Sequence, residues 1–124
     1  MTKPSVFANY TSAETFAKIV DYKNVSQMWT HSVETYPDNI ALVDGENITY
    51  KQLDEEVCKM RSALKEQGIE KGDRVGMLIP NSAAFAKTFL AITTLGAVAV
   101  LLPPHLDAMT VFGCSLKFAL KGLV

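Results

Sequence analysis

The side chains that could do chemistry in this chain are few and poorly grouped. His31 and His105 have only Glu34 and Asp107 near them in the sequence. A metal site needs a larger ligand set than one histidine beside one carboxylate provides. We therefore interpret His31 as a surface side chain on a helix and His105 as part of a loop. The sequence predicts no metal-ligating residue.

Two further patterns bear on catalysis, and neither predicts an active site. Ser62 and Lys65 match S-x-x-K, the nucleophile motif of penicillin-recognising enzymes, but the partner motifs S-D-N and K-T-G are absent. The pair falls late in an amphipathic helix, where solvent-facing charges surround Ser62. Glu55 and Glu56 are adjacent, so they diverge on the helix and cannot form a catalytic carboxylate pair. The sequence predicts a solvated face here and no catalytic residue.

The common phosphate-binding loops for nucleotides are also absent. The sequence contains neither G-x-G-x-x-G nor G-x-x-x-x-G-K-[ST], so we predict no cofactor-binding residue. A net charge of -1, with 48% hydrophobic and 20% charged residues, is typical of a soluble globular protein and argues against a nucleic-acid partner. Cys58 and Cys114 lie outside any C-x-x-C pair, and we expect two reduced, buried thiols.

No stretch of the sequence predicts a transmembrane segment or a secretory signal. The longest apolar run, near residues 96–102, is far shorter than the roughly 18 to 20 residues that a bilayer requires. The opening sequence, MTKPSVFANYTSAETF, contains no uninterrupted apolar region of the kind that a signal peptide needs. The expected location is therefore cytoplasmic.

The strongest structural signal is a strand, a helix and a second strand in the second half of the chain. Apolar runs at residues 75–79 and 97–102 are each closed by proline, and they predict parallel strands buried on both faces. Residues 82–95 between them carry only one charge, so they predict a helix that is covered nearly all round. A polar cap at residues 81–82 would begin this helix and Gly96 would end it.

A second helix is predicted over residues 50–67 because both of its ends are marked. Thr49 and Gln52 form a capping box, and Gly68 with Ile69 suits a Schellman arrangement at the other end. The apolar stripe of this helix is Leu53, Val57, Met60 and Leu64. The solvent side is expected to hold Glu55, Glu56, Lys59, Arg61 and Lys65, with Glu55 and Lys59 at favourable i, i+4 spacing.

The N-terminal elements have weaker signals. We expect residues 1–10 to be loose, and a capping box at residues 11–14 to begin a short helix that runs towards Val20. A firmer helix is predicted over residues 24–36, with Trp29 anchoring it to the body. Its apolar stripe is Val25, Met28, Trp29, Val33 and Tyr36.

Two further patterns complete the chain. Short apolar runs at residues 40–43 and 48–50 flank a glycine-containing turn, which predicts a hairpin. After Pro103 and Pro104, helical spacing resumes, and residues 121–124 resemble the opening of another strand. The helical spacing is that of Met109, Phe112, Leu116 and Leu120.

Together these elements predict an α/β fold with an incomplete doubly wound, mostly parallel sheet, flanking helices and a short N-terminal hairpin. We expect residues 1–23 to form an N-terminal arm with a short helix, and residues 24–124 to form a single, incomplete domain. Because a domain seldom ends on a strand as it begins, we expect the sheet to need further strands.

Three stretches between Val25 and Pro103 form an ordered set of motifs: NVSQMWTHSVETYPDNIALVDGENITYKQLDEE, KGDRVGMLIPNS and LAITTLGAVAVLLPP. In this order they resemble the N-terminal part of the adenylate-forming acyl- and aryl-CoA ligases, the AMP-forming synthetases. The first resembles the family's opening helix, hairpin and L-T-Y-x-E-L motif, and the second its G-D-R-V strand. The third resembles a helix that ends at glycine before a strand that runs into proline. This chain departs from the family at Pro103-Pro104-His105-Leu106-Asp107, where the family has Asn-Pro and a helix carrying Glu-Leu.

The resemblance implies a parent enzyme that activates a carboxylic acid, with a fatty acid as the leading candidate. Such an enzyme uses ATP and Mg²⁺ to form an acyl-adenylate, releases pyrophosphate, and transfers the acyl group to coenzyme A. The family's Ser/Thr/Gly-rich phosphate loop, its adenine and ribose contacts and its adenylation lysine all lie beyond the matching segment. The resemblance therefore implies that this segment binds no cofactor itself, and that ATP, Mg²⁺ and CoA belong to the parent enzyme.

Two hypotheses remain open. In the first, the chain is the structural N-terminal portion of an ATP-dependent acyl-CoA ligase, inactive alone, and its partner is the remainder of the parent chain. The second is a free-standing small α/β binding or interaction module without catalysis, which binding of ATP, AMP or CoA would support. Under the first hypothesis, the last strand leaves an open sheet edge, and we expect a homo-oligomer through that edge.

Overall fold

The computed structural model describes residues 11–124, and the segment expected to be loose, residues 1–10, lies outside the described part. No helix in the described part is both long and apolar enough to cross a bilayer. In chain order the elements are α1 (Ala13–Val20), α2 (Val25–Thr35), β1 (Ile40–Asp44), β2 (Glu46–Thr49), α3 (Tyr50–Glu66), β3 (Arg74–Met77), α4 (Ala83–Leu95), β4 (Val98–Leu101), α5 (Ala108–Lys117) and β5 (Gly122–Leu123).

Strand β3 is the centre of a three-stranded parallel sheet with the strand order β4-β3-β5. Met77 lies opposite Leu101 of β4, and Val75 lies opposite Gly122 of β5. Val75 and Met77 are both buried, as the apolar run predicts. The parallel strand–helix–strand unit, the strand expected within residues 121–124 and the α/β class are therefore confirmed.

Strand β4 departs from the prediction that it is buried on both faces. Val98 and Leu101, at its two ends, are exposed. The physical reason is that β4 lies at the edge of the three-stranded sheet, with β3 on one side only. Its apolar run therefore marks a strand that has less cover than its composition predicts.

Helix α4 is covered nearly all round, as its composition predicts. Ser82 is the N-cap, with its hydroxyl accepting from the Phe85 backbone N–H at 3.2 Å. Gly96 ends the helix in the left-handed conformation with φ of 89°. Between these ends only Ala84 is exposed. A helix this apolar is stable in water only because α3, α2 and the sheet lie around it.

Helix α3 has the ends that the sequence predicts. The Thr49 hydroxyl accepts from the Gln52 N–H, and the Gln52 side chain accepts from the Thr49 N–H, which completes the capping box. At the other end the Ile69 N–H donates to the Leu64 carbonyl and the Gly68 N–H to the Lys65 carbonyl, both bonds of a Schellman motif.

On the charged side of α3, Lys59 forms a salt bridge with Glu56 at 2.8 Å. The hydrogen bond to Glu56 and, to a lesser degree, the charge of Glu55 raise the pKa of Lys59, so the spacing of Glu55 and Lys59 is favourable. One expectation for this side is wrong. Arg61 does not face solvent, because its guanidinium donates to the Thr94 hydroxyl of α4 at 3.1 Å. Arg61 directly follows Met60 of the apolar stripe, so it lies on the flank of α3 that meets α4.

Helix α2 is anchored by Trp29, which is 8% exposed, as expected. The wider apolar stripe is partly wrong, because Met28 and Tyr36 are exposed while Val33 packs against the core. Contact with the body through Trp29 and Val33 leaves Met28 and Tyr36 in solvent. The β1–β2 hairpin follows as predicted, with Gly45 at its turn in a positive-φ conformation.

Helix α1 runs to Val20 as predicted, but the capping box is wrong. The N-cap is Ser12, whose hydroxyl accepts from the Thr15 backbone N–H at 3.1 Å. Glu14 pairs with Lys18 at 2.9 Å instead of reaching back to the cap. With Ser12 at the cap, Glu14 is one position too early for a capping box.

Helix α5 forms where the spacing predicts it, and its apolar residues point in an unexpected direction. Met109, Phe112 and Leu116 are exposed, while Val111 faces inward. Leu120 falls after the end of the helix at Lys117. The helix begins at the Asp107 N-cap, whose carboxylate accepts from the Thr110 N–H at 2.9 Å.

The core lies between α2, α3, α4 and one face of the parallel sheet. Both cysteines are outside it: Cys58 and Cys114 are free, as expected, but they are half-buried and not fully buried. The buried cluster consists of Trp29, Leu53, Val57, Leu64, Ile69, Val75, Met77, Ala91, Ile92 and Ala97.

Candidate functional site

The two histidines lie apart from any metal-like cluster. The His31 ring packs against Tyr22 with ring centroids 5.6 Å apart, and its Nε2 is 3.4 Å from the Thr35 hydroxyl. His105 is exposed in the loop that follows β4. Residues 11–124 contain no group of three or more His, Cys, Asp or Glu side chains that could hold a metal ion. The absence of a metal site remains a prediction for the chain as a whole.

A cavity of about 320 Å³ lies beside the hairpin and the start of α3, and three glutamates line it. Its lining residues are Glu46, Asn47, Ile48, Gln52, Glu55 and Glu56. Gln52 is occupied, because its side-chain oxygen caps the Thr49 N–H at 2.9 Å. Glu56 contacts Lys59 at 2.8 Å and Lys87 at 3.8 Å.

These lysines determine the ionisation of Glu56. The hydrogen bond from Lys59 holds the pKa of Glu56 below its ordinary value, and the same bond raises the pKa of Lys59. A carboxylate that is kept ionised at the surface is a poor general acid. Glu55 and Glu56 are both exposed, as expected for a solvated face. Ser62 and Lys65 are likewise exposed on the same helix.

A polar cluster joins α2, α3 and α4, and sequence reasoning did not anticipate it. The Trp29 indole Nε1–H donates to Asp54 Oδ1 at 2.7 Å. The Cys58 thiol lies 3.9 Å from Asp54 Oδ2, and Arg61 donates to Cys58 Sγ at 3.3 Å and to the Thr94 hydroxyl at 3.1 Å. We call these five residues the helix-junction cluster.

The helix-junction cluster has a sequence signal that was not used. Asp54, Cys58 and Arg61 each directly follow a member of the apolar stripe of α3. They therefore form a polar row beside that stripe, spaced four and three residues apart, on one side of the helix. Such a row predicts a polar contact with a neighbouring helix, but it does not identify Trp29 or Thr94 as the partner.

Chemically, the helix-junction cluster is suited to fixing helices and not to catalysis. A cavity of about 180 Å³ adjoins it, lined by Ser26, Trp29, Thr30, Val33, Glu34, Asp54, Arg61 and Thr94. Asp54 is already bonded to the indole, and Arg61 is already bonded to a thiol and a hydroxyl. The Thr94 hydroxyl in turn donates to the Leu90 carbonyl at 2.6 Å. The polar groups of the helix-junction cluster are therefore bonded to one another and to the backbone.

A third cavity, of about 250 Å³, lies beside β5 and is lined mainly by apolar residues. Its walls are Leu64, Gln67, Ile69, Val75, Lys121, Gly122, Leu123 and Val124. It lies between the end of α3 and the strands β3 and β5. This position suits the packing of another apolar element more than the binding of a charged ligand.

The family model for the AMP-binding enzyme matches residues 29–115, which is more than half of the chain. The match begins in α2 and extends into α5. It therefore includes the hairpin, the helix-junction cluster and the complete β3–α4–β4 unit.

Curated relatives of the chain are CoA ligases and synthetases. A medium-chain acyl-CoA ligase, ACSF2, mitochondrial, of Bos taurus is 39% identical over 82% of this chain and 17% of its own length. A 3-oxocholest-4-en-26-oate–CoA ligase of Rhodococcus rhodochrous is 31% identical over 62% of this chain and 14% of its own. The acetyl-coenzyme A synthetase of Methylorubrum populi is 33% identical over 73% of this chain and 16% of its own length. The chain thus spans only 14% to 17% of these relatives.

Solved structures agree with this likeness. A fatty acyl CoA synthetase of Mycobacterium tuberculosis superposes with a TM-score of 0.76 at 32% identity, over 82% of this chain and 21% of that one. The N-terminal domain of FACL13 from the same organism superposes with a TM-score of 0.77 at 31% identity, over 82% of this chain and 27% of that one. The likeness therefore lies in the N-terminal domain of such proteins.

Proposed function

The chain belongs to the AMP-binding enzyme family, and on that premise we propose that residues 24–124 are a structural part of an adenylate-forming acyl-CoA ligase. In this proposal the N-terminal arm, residues 1–23, precedes the first part of the large domain. The observation that carries the proposal is the family match over residues 29–115, which includes the complete β3–α4–β4 unit. The role of the segment is to be scaffold for the reaction.

The reaction proposed for the parent enzyme is the activation of a carboxylic acid. The carboxylate displaces pyrophosphate from ATP to give an acyl-adenylate, and the thiol of CoA then displaces AMP to give a thioester. We propose a fatty acid as the substrate, because the names of ACSF2 and of the Mycobacterium tuberculosis synthetase both describe fatty-acyl or medium-chain acyl chemistry. The other relatives act on different acids by name, so the acyl group needs a direct test.

The described residues do not fit ATP or Mg²⁺. Residues 11–124 offer no set of three metal-ligating side chains, and no glycine-rich phosphate loop occurs in the sequence. Asp54 and Arg61 are bonded within the helix-junction cluster, and Glu56 is paired with Lys59. We therefore assign no catalytic step to this segment, and ATP, Mg²⁺ and CoA belong to the parent enzyme.

Pyrophosphate exchange and calorimetry test this assignment together. We expect the 124-residue chain to give no heat with ATP, AMP or CoA and no exchange of labelled pyrophosphate into ATP. The native gene product is expected to catalyse the exchange with a fatty acid present. A measurable heat of binding when ATP, AMP or CoA is titrated into the 124-residue chain would contradict the scaffold role. It would favour the free-standing binding module.

The proposed partner of this segment is the remainder of the parent ligase chain. The outer edges of β4 and β5 have no paired strand in residues 11–124, so the sheet has room for further strands on both sides. When the chain is produced alone, we propose that such an edge pairs with a second copy, because unpaired strand edges favour association. Sedimentation that gives a clean monomer at high concentration would contradict this oligomer.

We also propose a cytoplasmic location. Both cysteines are free, which fits a reducing compartment. Fractionation of the source cell with an antibody against this chain tests the location, and recovery from an oxidising compartment would contradict it.

A further inference from the structure

The outer face of α5 is a stripe of large apolar side chains with little cover. Met109 is 79% exposed, Phe112 is 61% exposed and Leu116 is 68% exposed. These residues recur at a spacing of three and four, so they lie on one side of the helix. We call them the α5 stripe. Val111, on the opposite side, is buried, so the helix carries apolar side chains on both of its faces.

The segment that follows the α5 stripe is anchored on β3. Asp107 caps the start of the helix. At the other end, the Arg74 guanidinium of β3 donates to the Phe118 carbonyl at 3.0 Å. Beyond it, Leu120 lies against Gly76 of β3, so close that a Cβ on Gly76 would be 2.7 Å from the Leu120 Cδ1. The stripe therefore lies on a capped helix whose C-terminal end leads directly into contacts with β3.

The chemistry of the helix favours a protein partner over a lipid surface. Helices that lie on membranes carry several Lys or Arg residues on their polar side. Helix α5 contains a single charged residue, Lys117, in its last turn. The stripe can therefore bury apolar area but adds almost no attraction to anionic headgroups.

The size of the stripe indicates how that partner is held. Three side chains of this kind offer on the order of 400 Å², about half of the ~800 Å² per partner that a stable interface buries. A second copy on this stripe alone would therefore bind weakly. A partner in the same polypeptide would not need a large surface, because a tethered partner is present at about millimolar effective concentration.

Resting on the proposed function, we infer that the α5 stripe is an internal packing face, covered by a further part of an AMP-binding domain in the same polypeptide. The family match includes α5 up to residue 115. The chain corresponds to only 27% of a solved N-terminal domain of this family, so a larger body is available to cover the stripe. The α5 stripe thus joins this segment to the remainder of the domain.

Photo-crosslinking in the source cell tests this inference. A benzophenone amino acid is placed at position 112 or, as a control on the charged side of α3, at position 65, which is also exposed. After irradiation, the product that contains this chain is digested and crosslinked peptides are sequenced. We expect position 112 to give an internal crosslink to a peptide of AMP-binding family sequence outside residues 1–124, several-fold more abundant than any crosslink from position 65.

Other outcomes overturn the inference in distinguishable ways. A crosslink from position 112 to a second copy of residues 1–124 would replace the internal face with a dimer interface, without touching the proposed reaction. Equal or absent crosslinking at positions 112 and 65 would mean that nothing covers the stripe. A failure of the proposed function appears separately, as a native product that is only 124 residues long and gives no pyrophosphate exchange.

Discussion

Trp29 of α2 and Asp54 of α3 are joined by a 2.7 Å hydrogen bond from the indole Nε1–H to Oδ1, at a point where the indole is 8% exposed. An indole that enters a core has to place its N–H on an acceptor. Asp54 supplies that acceptor from the row beside the apolar stripe of α3. This bond therefore helps to fix α2 against α3.

Replacing Trp29 by Phe should lower the free energy of unfolding. The ring remains apolar, but Asp54 loses its donor, and a hydrogen bond to a charged group contributes about 1.5–3 kcal/mol. Urea denaturation followed by circular dichroism measures the loss. A double-mutant cycle with Asp54→Ala separates the bond from the change in ring volume. Additive effects of the two substitutions would mean that the bond contributes nothing.

Gly68 and Gly113 should respond to alanine with opposite signs. A Cβ at either position would meet no atom within 4 Å, but Gly68 has φ of +83° whereas Gly113 lies inside α5. Gly68→Ala forces a left-handed conformation and should cost about 1 kcal/mol. Gly113→Ala should stabilise by about 0.5–1 kcal/mol, because alanine is the better helix former. Thermal melts of the two variants provide the test. A melting temperature that Gly68→Ala leaves unchanged or raises would refute this account of the α3 C-terminus.

Gly76→Ala should destabilise the parallel sheet. A Cβ at this position would lie 2.7 Å from the Leu120 Cδ1 and 2.8 Å from the Leu123 Cδ1. Overpacking costs roughly 1–3 kcal/mol, and the lower end applies here because both contacts are with tips of flexible side chains. Adding Leu123→Ala should recover part of the loss. Chemical denaturation that finds Gly76→Ala neutral would show that the leucines move aside at no cost.

Asp73 should make stability depend on acid pH. The Glu70 backbone N–H donates to the Asp73 carboxylate at 2.7 Å, and the Lys121 ammonium lies 3.3 Å from the same carboxylate. The first contact, more than the second, holds the pKa of Asp73 below its ordinary 3.8. A lowered folded-state pKa gives stability that is fully present above the ordinary value and is lost as pH falls through the folded one.

Melting temperatures between pH 7 and pH 2 measure this effect. Asp73→Asn should lower the melting temperature at neutral pH and flatten its decline below about pH 4. Asp38→Asn is the control, because Asp38 is exposed in the turn before β1. Parallel curves for the native chain and Asp73→Asn would rule out a contribution from Asp73.

The elements that the sequence predicted well are those with local signals. The capping box of Thr49 and Gln52, the Ser82 cap and the glycines that end α3 and α4 act within a few residues, so a single chain displays them. Long-range pairs were missed for the opposite reason. Arg61 and Thr94 are 33 residues apart, and no local pattern links them.

Helix α5 illustrates a second limit. The spacing of Met109, Phe112 and Leu116 correctly predicts a helix, but periodicity does not say what covers the apolar side. Met28 and Val98 are similar cases, in which an apolar residue was expected inside and lies at an edge. In each case the apolar residue type predicts burial, but residues 11–124 leave the side chain exposed.

The most direct test of the scaffold role is the intact mass of the native gene product in its own cell, detected with an antibody raised against residues 1–124. Membership of a family whose relatives are covered to only 14% to 17% by this chain predicts a species several times heavier than 13.6 kDa. A product of 13.6 kDa and no heavier species would contradict the proposal that the chain is a structural part of an acyl-CoA ligase.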